Sequence, residues 1–401
     1  MSESAVATGA PARAIGIDRR AMWTLTTGHL GADLAQGALP AILTFLKPRL
    51  GLSYVEVAGV VLAATVGSSL IQPLFGIWSD RRARTWLLSG GVALSGAAMA
   101  FTSLTHSYAL LLALVLVSSV GVGAFHPEAM KLAGHASGLR RASGMAAFQS
   151  GGNLGFALGP LIAGSALAAL GYGGGLVLLA PAALVAALLL ARSRYLGAFG
   201  LPTERSAHAD GPGSRFGLRL LLGVIGLRSL GYYGLFTFVP LWEVSVGHSK
   251  TYGSHLLSLV LLAGTAGTLL GGPLADRVGR KAVLVGSLAL APPLILVYVL
   301  VGGVVGAVAV CGAGAAIVAT FGITVVMSQE YLPRQAALAS GLAVGLAIGV
   351  GGIFAVALGA IADAIDLRTA IVASAAGPGL GALFAFGLPK VRRTAAAGWE
   401  A

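Results

Sequence analysis

Gly76-Ile77-Trp78-Ser79-Asp80-Arg81-Arg82-Ala83-Arg84 is answered 196 residues later by Gly272-Pro273-Leu274-Ala275-Asp276-Arg277-Val278-Gly279-Arg280-Lys281. Each copy closes one long apolar run and opens the next. The offset is close to half of the 401-residue chain, so one charged hinge recurs at the same place in two similar halves. A second marker agrees: Ala142-Ser143-Gly144 and Ala339-Ser340-Gly341 stand 197 residues apart. The expected fold class is all-α integral membrane, with about twelve transmembrane helices in two parallel six-helix bundles. A duplicated membrane protein of this kind is most simply a transporter.

Composition supports the membrane reading. Hydrophobic residues make up 56% and charged residues 10%, against roughly 25% charged in an ordinary soluble domain. The 60 glycines suit close helix contacts in lipid, where small residues let backbones approach. The first apolar segment is too long for a signal peptide and contains His29 and Asp33, so it is expected to remain as a helix. Cys311 is the single cysteine, which excludes an intrachain disulfide.

Twelve spans are expected, near 21–46, 54–78, 86–105, 108–130, 143–170, 173–192, 218–242, 252–271, 282–301, 304–328, 336–361 and 368–388. This divides the chain into a tail 1–20, a first bundle 21–192, a linker 193–217, a second bundle 218–388 and a tail 389–401. With the N-terminus in the cytoplasm, 21 Lys/Arg fall in cytoplasmic segments. Four (Lys47, Arg49, Lys250 and Arg368) fall on the other side, and Arg228 alone lies inside a span. That asymmetry predicts both termini in the cytoplasm of a bacterial inner membrane. The net charge of +12 punctuates the apolar runs instead of forming one basic face, which argues against nucleic acid as a partner.

The repeated G-x-x-x-D-R-x-G-R-[KR] pattern between spans two and three, and eight and nine, resembles the signature of the major facilitator superfamily. The second copy is complete; the first has Ala83 and Thr85 where Gly and a base are usual. The resemblance gives Gly76, Asp80, Arg81, Arg84, Gly272, Asp276, Arg277, Gly279 and Arg280 a conformational, gating role. Each Asp is expected to accept hydrogen bonds from a neighbouring helix N-terminus, and the arginines to hold the loop at the anionic inner leaflet.

Finer motifs resemble the fosmidomycin resistance protein branch: Gly28-His29 with Asp33, Gln36 and Leu39-Pro40; Phe125-His126-Pro127-Glu128; Phe148-Gln149-Ser150-Gly151-Gly152-Asn153 with Gly159-Pro160; Leu227-Arg228-Ser229; and Gln329-Glu330-Tyr331-Leu332-Pro333. Ala32 replaces an Asn common in that branch, and Ser118 and Ser119 stand where the superfamily often has an Arg. The branch implies proton-driven efflux of drugs or metabolites.

The ionisable residues within spans carry the functional expectations, because such groups are costly in lipid. Asp33 lies about thirteen residues past Arg20, so roughly 20 Å along its helix, near the midplane. His29 is one turn before it and Gln36 nearly one turn after, on one face. Asp33 and His29 are therefore read as the proton-coupling pair, the alternative being a structural pair that ties span one to a neighbour. Arg228 follows Asp33 by 195 residues and occupies nearly the same place in the second half. It is read as the contact for an anionic substrate, the alternative being a permanent ion pair with Asp33. Gln36, His126, Tyr232, Gln149 and Asn153 complete the expected substrate contacts. Glu128, Glu243 and Glu330 are expected at the membrane interface, with Glu128 pairing to Lys131 or Arg140. His126, Glu128 and His135 have no recognisable metal spacing, so no metal and no cofactor are expected. The reading is a monomeric, proton-coupled exporter of small polar or anionic compounds, with fosmidomycin-like phosphonates as candidates. Its rivals are a proton-driven importer of an organic anion and, remotely, an integral-membrane enzyme, for which no nucleophile–base constellation is present.

Overall fold

The computed structural model describes residues 16–80, 84–199 and 213–389. Twelve long helices run through them: α1 Arg19–Leu50, α2 Tyr54–Asp80, α3 Trp86–Thr102, α4 Tyr108–Ala136, α5 Arg141–Leu170, α6 Leu179–Ala191, α7 Arg215–Ser245, α8 Lys250–Val278, α9 Arg280–Val301, α10 Gly303–Tyr331, α11 Ala336–Ala364 and α12 Leu367–Phe386. Nine segments meet the length and hydropathy of a membrane span among the described residues; one of them, Ser143–Ala191, holds both α5 and α6. Helix α3 is shorter than that standard. Several N-termini are set by side-chain caps that satisfy a first-turn amide: Asp18 for α1, Ser107 for α4, Ser214 for α7, Ser249 for α8 and Asp366 for α12.

The sixth span departs from a single α-helix. It opens with a 3-10 stretch, Gly171–Leu178, before α6 begins. Gly171 has φ +61°, and a side chain at Gly174 would meet the backbone of Ala166. The glycines let this stretch lie directly on α5 and α3, at the expense of α-helical propensity.

The helix ends define two faces. The described termini and the α2–α3, α4–α5, α8–α9 and α10–α11 connections lie on one, here the terminal face. The connections near 50–54, 102–108, 245–250, 301–303 and 364–367 lie on the other, the distal face. The apolar core is distributed unequally between them. On the distal side one cluster is shared by both halves, running from Leu34–Leu46 of α1 and Val57–Ala64 of α2 to Leu235–Leu241 of α7 and Ala355–Ala362 of α11. On the terminal side the core splits into two, one holding Leu25, Phe125 and Leu132, the other Leu221, Leu284 and Met327. The halves are thus fused distally and separate towards the terminal face, leaving a cleft between them.

Helices α2 and α11 show the split residue by residue. Gly352 and Gly359 pack against Leu62, Thr65, Tyr54 and Val55 so closely that a Cβ would collide. Gly341, Gly345 and Gly349, nearer the terminal face on α11, have open space beside them. The distal seam is latched by polar contacts as well. Asp363 of α11 accepts from the amides of Tyr54 and Val55, both at 2.8 Å, and so caps α2 from the other half. Ser165 of α5 meets His255 of α8 at 2.8 Å.

A borrowed cap should behave like any other N-cap, worth about 1 kcal/mol. Asp363→Ala is expected to speed amide exchange at Tyr54 and Val55 by about fivefold, measured by hydrogen–deuterium exchange. Unchanged exchange in that segment would show that the latch contributes nothing.

Candidate transport site

The buried charges gather where the shared distal core divides. Asp33 sits between Ala32 of the N-terminal core and Leu34 of the shared one. Its carboxylate meets two imidazoles: His29 Nε2 lies 3.2 Å from Oδ2, and His126 Nε2 lies 3.3 Å from Oδ1. The pairing of His29 with Asp33 follows the helix repeat. The addition of His126 from α4 does not; it was expected in the cavity wall as a substrate contact, and it joins the acid instead. Both imidazoles are fixed from behind. His29 Nδ1 is 2.9 Å from the carbonyl of Phe148, and His126 Nδ1 is 2.9 Å from that of Val122. A carbonyl only accepts, so each Nδ1 carries a hydrogen; each Nε2 faces the carboxylate, donating to it when the ring is protonated and offering a lone pair when it is neutral. A carboxylate and two imidazole nitrogens therefore converge, an arrangement suited to holding a positive charge among them.

Close helix packing makes this cluster possible. Helix α5 lies on α1 with Gly151, Gly152, Gly155 and Gly159 at the contact. A Cβ at Gly155 would come 2.2 Å from the Leu30 carbonyl oxygen, which excludes every other residue there. The His29 ring stacks on Phe148 at 4.3 Å between centroids and crosses His126 edge-on at 5.1 Å.

Arg228 lies in α7 and is 2% exposed. Nη1 donates to Thr324 at 3.1 Å and to Thr320 at 3.3 Å, and the guanidinium lies 4.0 Å over the Phe321 ring. Nε has no hydrogen-bond partner, and no carboxylate lies within ion-pair distance among the described residues. The alternative of a permanent Asp33–Arg228 pair is therefore not realised. Tyr232, one turn on, stacks beside Phe236 and Phe321 and lies within electrostatic reach of both Asp33 and Arg228.

The opposite wall comes from α5. Phe156 meets Phe236 of α7 at 5.1 Å between centroids, closing the cleft on its distal side. Gln149 and Asn153 share the helix face of Phe156, two turns and one turn nearer the terminal face, and bond each other at 3.4 Å. They line the cleft below the aromatic contact. Gln36 is half-buried on α1, just distal to Asp33.

Among the other acids the expected Glu128–Lys131 pair forms, but Glu128 and Glu243 are buried instead of interfacial. Glu128 is buried, 0% exposed, and pairs with Lys131 at 2.7 Å while accepting from the Arg84 amide at 2.9 Å. Glu243 is buried too, held by Tyr298 at 2.7 Å and His248 at 2.6 Å. Glu330 forms an ion pair with Arg280. His135 meets the Phe199 carbonyl at 2.5 Å, away from Glu128's partners.

The hinge motifs are anchored asymmetrically. In the first copy Arg84 lies 4.0 Å over Trp78 and donates to its carbonyl; Gly76 is half-buried in α2. Arg81 and the side chain of Asp80 lie outside the described residues. In the second copy Gly279 takes φ +97° to end α8, a conformation that favours glycine. Gly272, Asp276 and Arg277 are exposed, so the acceptor role expected of Asp276 is not seen there. In the first half Glu128 of α4 fills that role, towards the amide just before α3.

The comparisons agree with this architecture. The model of the Major Facilitator Superfamily matches residues 25–356, and the chain belongs to that family of membrane transporters. It is 32% identical over 375 residues to the uncharacterized MFS-type transporter YfnC of Bacillus subtilis (strain 168), covering 90% of each chain. It is also 32% identical over 379 residues to the fosmidomycin resistance protein of Escherichia coli (strain K12), covering 90% of this chain and 91% of that one. Among solved structures, a bacterial homologue of the human lysosomal transporter Spinster, inward-facing and unoccupied, superposes with a TM-score of 0.75 at 16% identity. It covers 92% of this chain and 96% of that one. The nucleoside transporter NupG gives 0.67 at 13% identity, covering 92% and 98%.

Breaking a buried pair strands its partner, at about 3–5 kcal/mol. Glu128→Ala is expected to lower the thermal midpoint markedly, and adding Lys131→Met to recover much of the loss. Equal midpoints for wild type and Glu128→Ala would remove Glu128 as the anchor of the α2–α3 loop.

Proposed function

We propose that this chain is a proton-coupled exporter of small polar or anionic compounds, phosphonates among them, working by alternating access of its two halves. The observation that carries the anion is Arg228. A buried guanidinium without a counter-charge costs several kcal/mol, and an anion entering the cleft supplies that charge. Its flat, forked donor set suits the paired oxygens of a phosphonate or carboxylate. Thr320, Thr324 and Phe321 hold the group in place, while Tyr232, Gln149, Asn153 and Gln36 offer polar contacts for the rest of the molecule.

The proton half rests on Asp33, His29 and His126. A proton on either Nε2 turns two facing acceptors into a donor and an acceptor, which is why the cluster suits proton binding. The charged or titratable groups that face it are these three, with Tyr232 and, beyond it, Arg228 from α7. A negative substrate at Arg228 and protons at Asp33 then share one electrostatic field through Tyr232. Export agrees with the resistance role named for the Escherichia coli relative.

The charge asymmetry of the loops sets the terminal face in the cytoplasm of a bacterial inner membrane. The cleft in this conformation then opens inward, towards a cytoplasmic substrate. The working unit is a monomer whose partners are the substrate, protons and the bilayer.

Binding of a phosphonate to purified protein tests the anion contact. Losing a charge-assisted contact of about 1.5–3 kcal/mol corresponds to roughly a ten- to hundredfold loss of affinity. Arg228→Ala is expected to show that loss, and Arg228→Lys an intermediate one, because an ammonium lacks the planar fork. Wild-type affinity in Arg228→Ala would refute the contact. So would full recovery of binding on adding Asp33→Asn, which would mean that Arg228 serves only to balance Asp33.

A further inference from the structure

We propose that His29, Asp33 and His126 also form a binding site for a divalent transition-metal ion of zinc's class, which occupies the cluster in competition with protons. One ligand atom from each residue lies within 4.8 Å of the others. Two imidazole nitrogens and a carboxylate are a recurrent zinc set, whereas calcium and magnesium take oxygen ligands. In both histidines Nδ1–H is given to a backbone carbonyl, which leaves Nε2 facing the carboxylate as the atom that binds a metal once its proton is lost. That outer hydrogen bond is the usual support of a metal-ligating histidine.

The spacing is near that of an ion's ligands. With metal–ligand bonds of about 2.0–2.1 Å, neighbouring ligands of a tetrahedral site stand about 3.3 Å apart. His29 Nε2 is 3.2 Å from Oδ2 and His126 Nε2 is 3.3 Å from Oδ1, so an ion would be held with each histidine beside a different carboxylate oxygen. The one other histidine–carboxylate pair described, His248 with Glu243, closes to 2.6 Å, the spacing of a shared proton. The carboxylate retains capacity as well, since the only partner of the buried Asp33 Oδ1 among the described residues is His126 Nε2, at 3.3 Å.

Helix α5 packs directly on the cluster. A Cβ at Gly152 would stand 2.4 Å from His29 Nε2 and 2.7 Å from Asp33 Oδ2 and collide with both. The glycine thus lets the two ligand atoms keep their positions against the α5 backbone. His126, at 16% exposure, gives the cluster its edge towards the cleft and a path of entry. This goes beyond the transport reading, because it concerns what the cluster binds whatever the substrate is.

The test uses full-length, tag-free protein, with Zn2+ followed by calorimetry and Co2+ by visible absorption. One ion per chain is expected, with Co2+ bands typical of low coordination number that vanish when Zn2+ is added. Asp33→Asn and His126→Gln are expected to weaken binding at least about tenfold. Gly152→Ala keeps all three ligands and is expected to weaken it as well, because its Cβ would push His29 and Asp33 out of place. His248→Gln is expected to leave it unchanged. A readout that needs no variant is the thermal midpoint of the wild type. It should rise with Zn2+ near pH 7.5 and not near pH 5, where the imidazoles hold protons instead. No saturable Zn2+ binding, or wild-type affinity in both Asp33→Asn and His126→Gln, would overturn the site. Failure of Zn2+ to bind while a pH gradient still drives transport would remove the metal site and leave the transport reading standing.

Discussion

The cost of leaving charge unpaired in a membrane interior organises this molecule. Such a group costs several kcal/mol unless a partner or a ligand offsets it. Of the buried acids and cations, Glu128 and Glu243 satisfy that demand locally, and the part-exposed Lys281 does so at the edge. Glu128 has Lys131 and the Arg84 amide, and Glu243 has Tyr298 and His248. Lys281 donates to the carbonyls of Phe386 and Leu388 at the end of α12. Two groups do not close on themselves. The Asp33 cluster brings a carboxylate against two imidazoles, and Arg228 presents a cation to two hydroxyls and a ring. The first can gain or lose a proton and the second has no counter-charge among the described residues, which is the ground for the proposed proton and anion sites.

Their position follows from the core. A single apolar cluster joins both halves on the distal side and gives way to two separate ones on the terminal side. Asp33 and Arg228 lie at the level of that division, at the apex of the cleft. In the proposed alternating access, movement of the halves about this level would exchange which face is open while disturbing the two charged sites least. The α2–α11 seam carries glycines on both sides of the level. Gly352 and Gly359 are in contact here, and Gly341, Gly345 and Gly349 have open space beside them.

Much of this was legible in the sequence because it depends on periodicity. The duplicated hinge gave the two halves, apolar runs gave the spans, and a four-residue spacing put His29 over Asp33. Depth along the helix placed Arg228 opposite. What escaped depends on contacts between helices. His126 is 93 residues from Asp33, and nothing local in Phe125-His126-Pro127 says which neighbour it faces. The hydroxyls of Thr320 and Thr324 are one turn apart in an otherwise apolar run, a signal that could have marked them as partners for the buried cation. Glu128 and Glu243 are expected at the interface because they lie near span ends, but both are buried: Glu128 with Lys131, the partner its i, i+3 spacing suggests, and Glu243 with Tyr298 from another helix. The 3-10 opening of the sixth span was written in Gly173-Gly174-Gly175, whose weak helical preference lets packing against α5 decide the backbone.

The central claim is that anion binding at Arg228 and proton binding at Asp33 are linked through one field. Proton exchange on binding measures it most directly. A phosphonate titrated into weakly buffered purified protein, with a pH indicator present, reports protons gained or lost per ligand bound. Exchange of substrate for protons predicts net proton release in the wild type and its disappearance in Asp33→Asn while the ligand still binds. Binding with no proton exchange in the wild type, or release that persists unchanged in Asp33→Asn, would contradict the account.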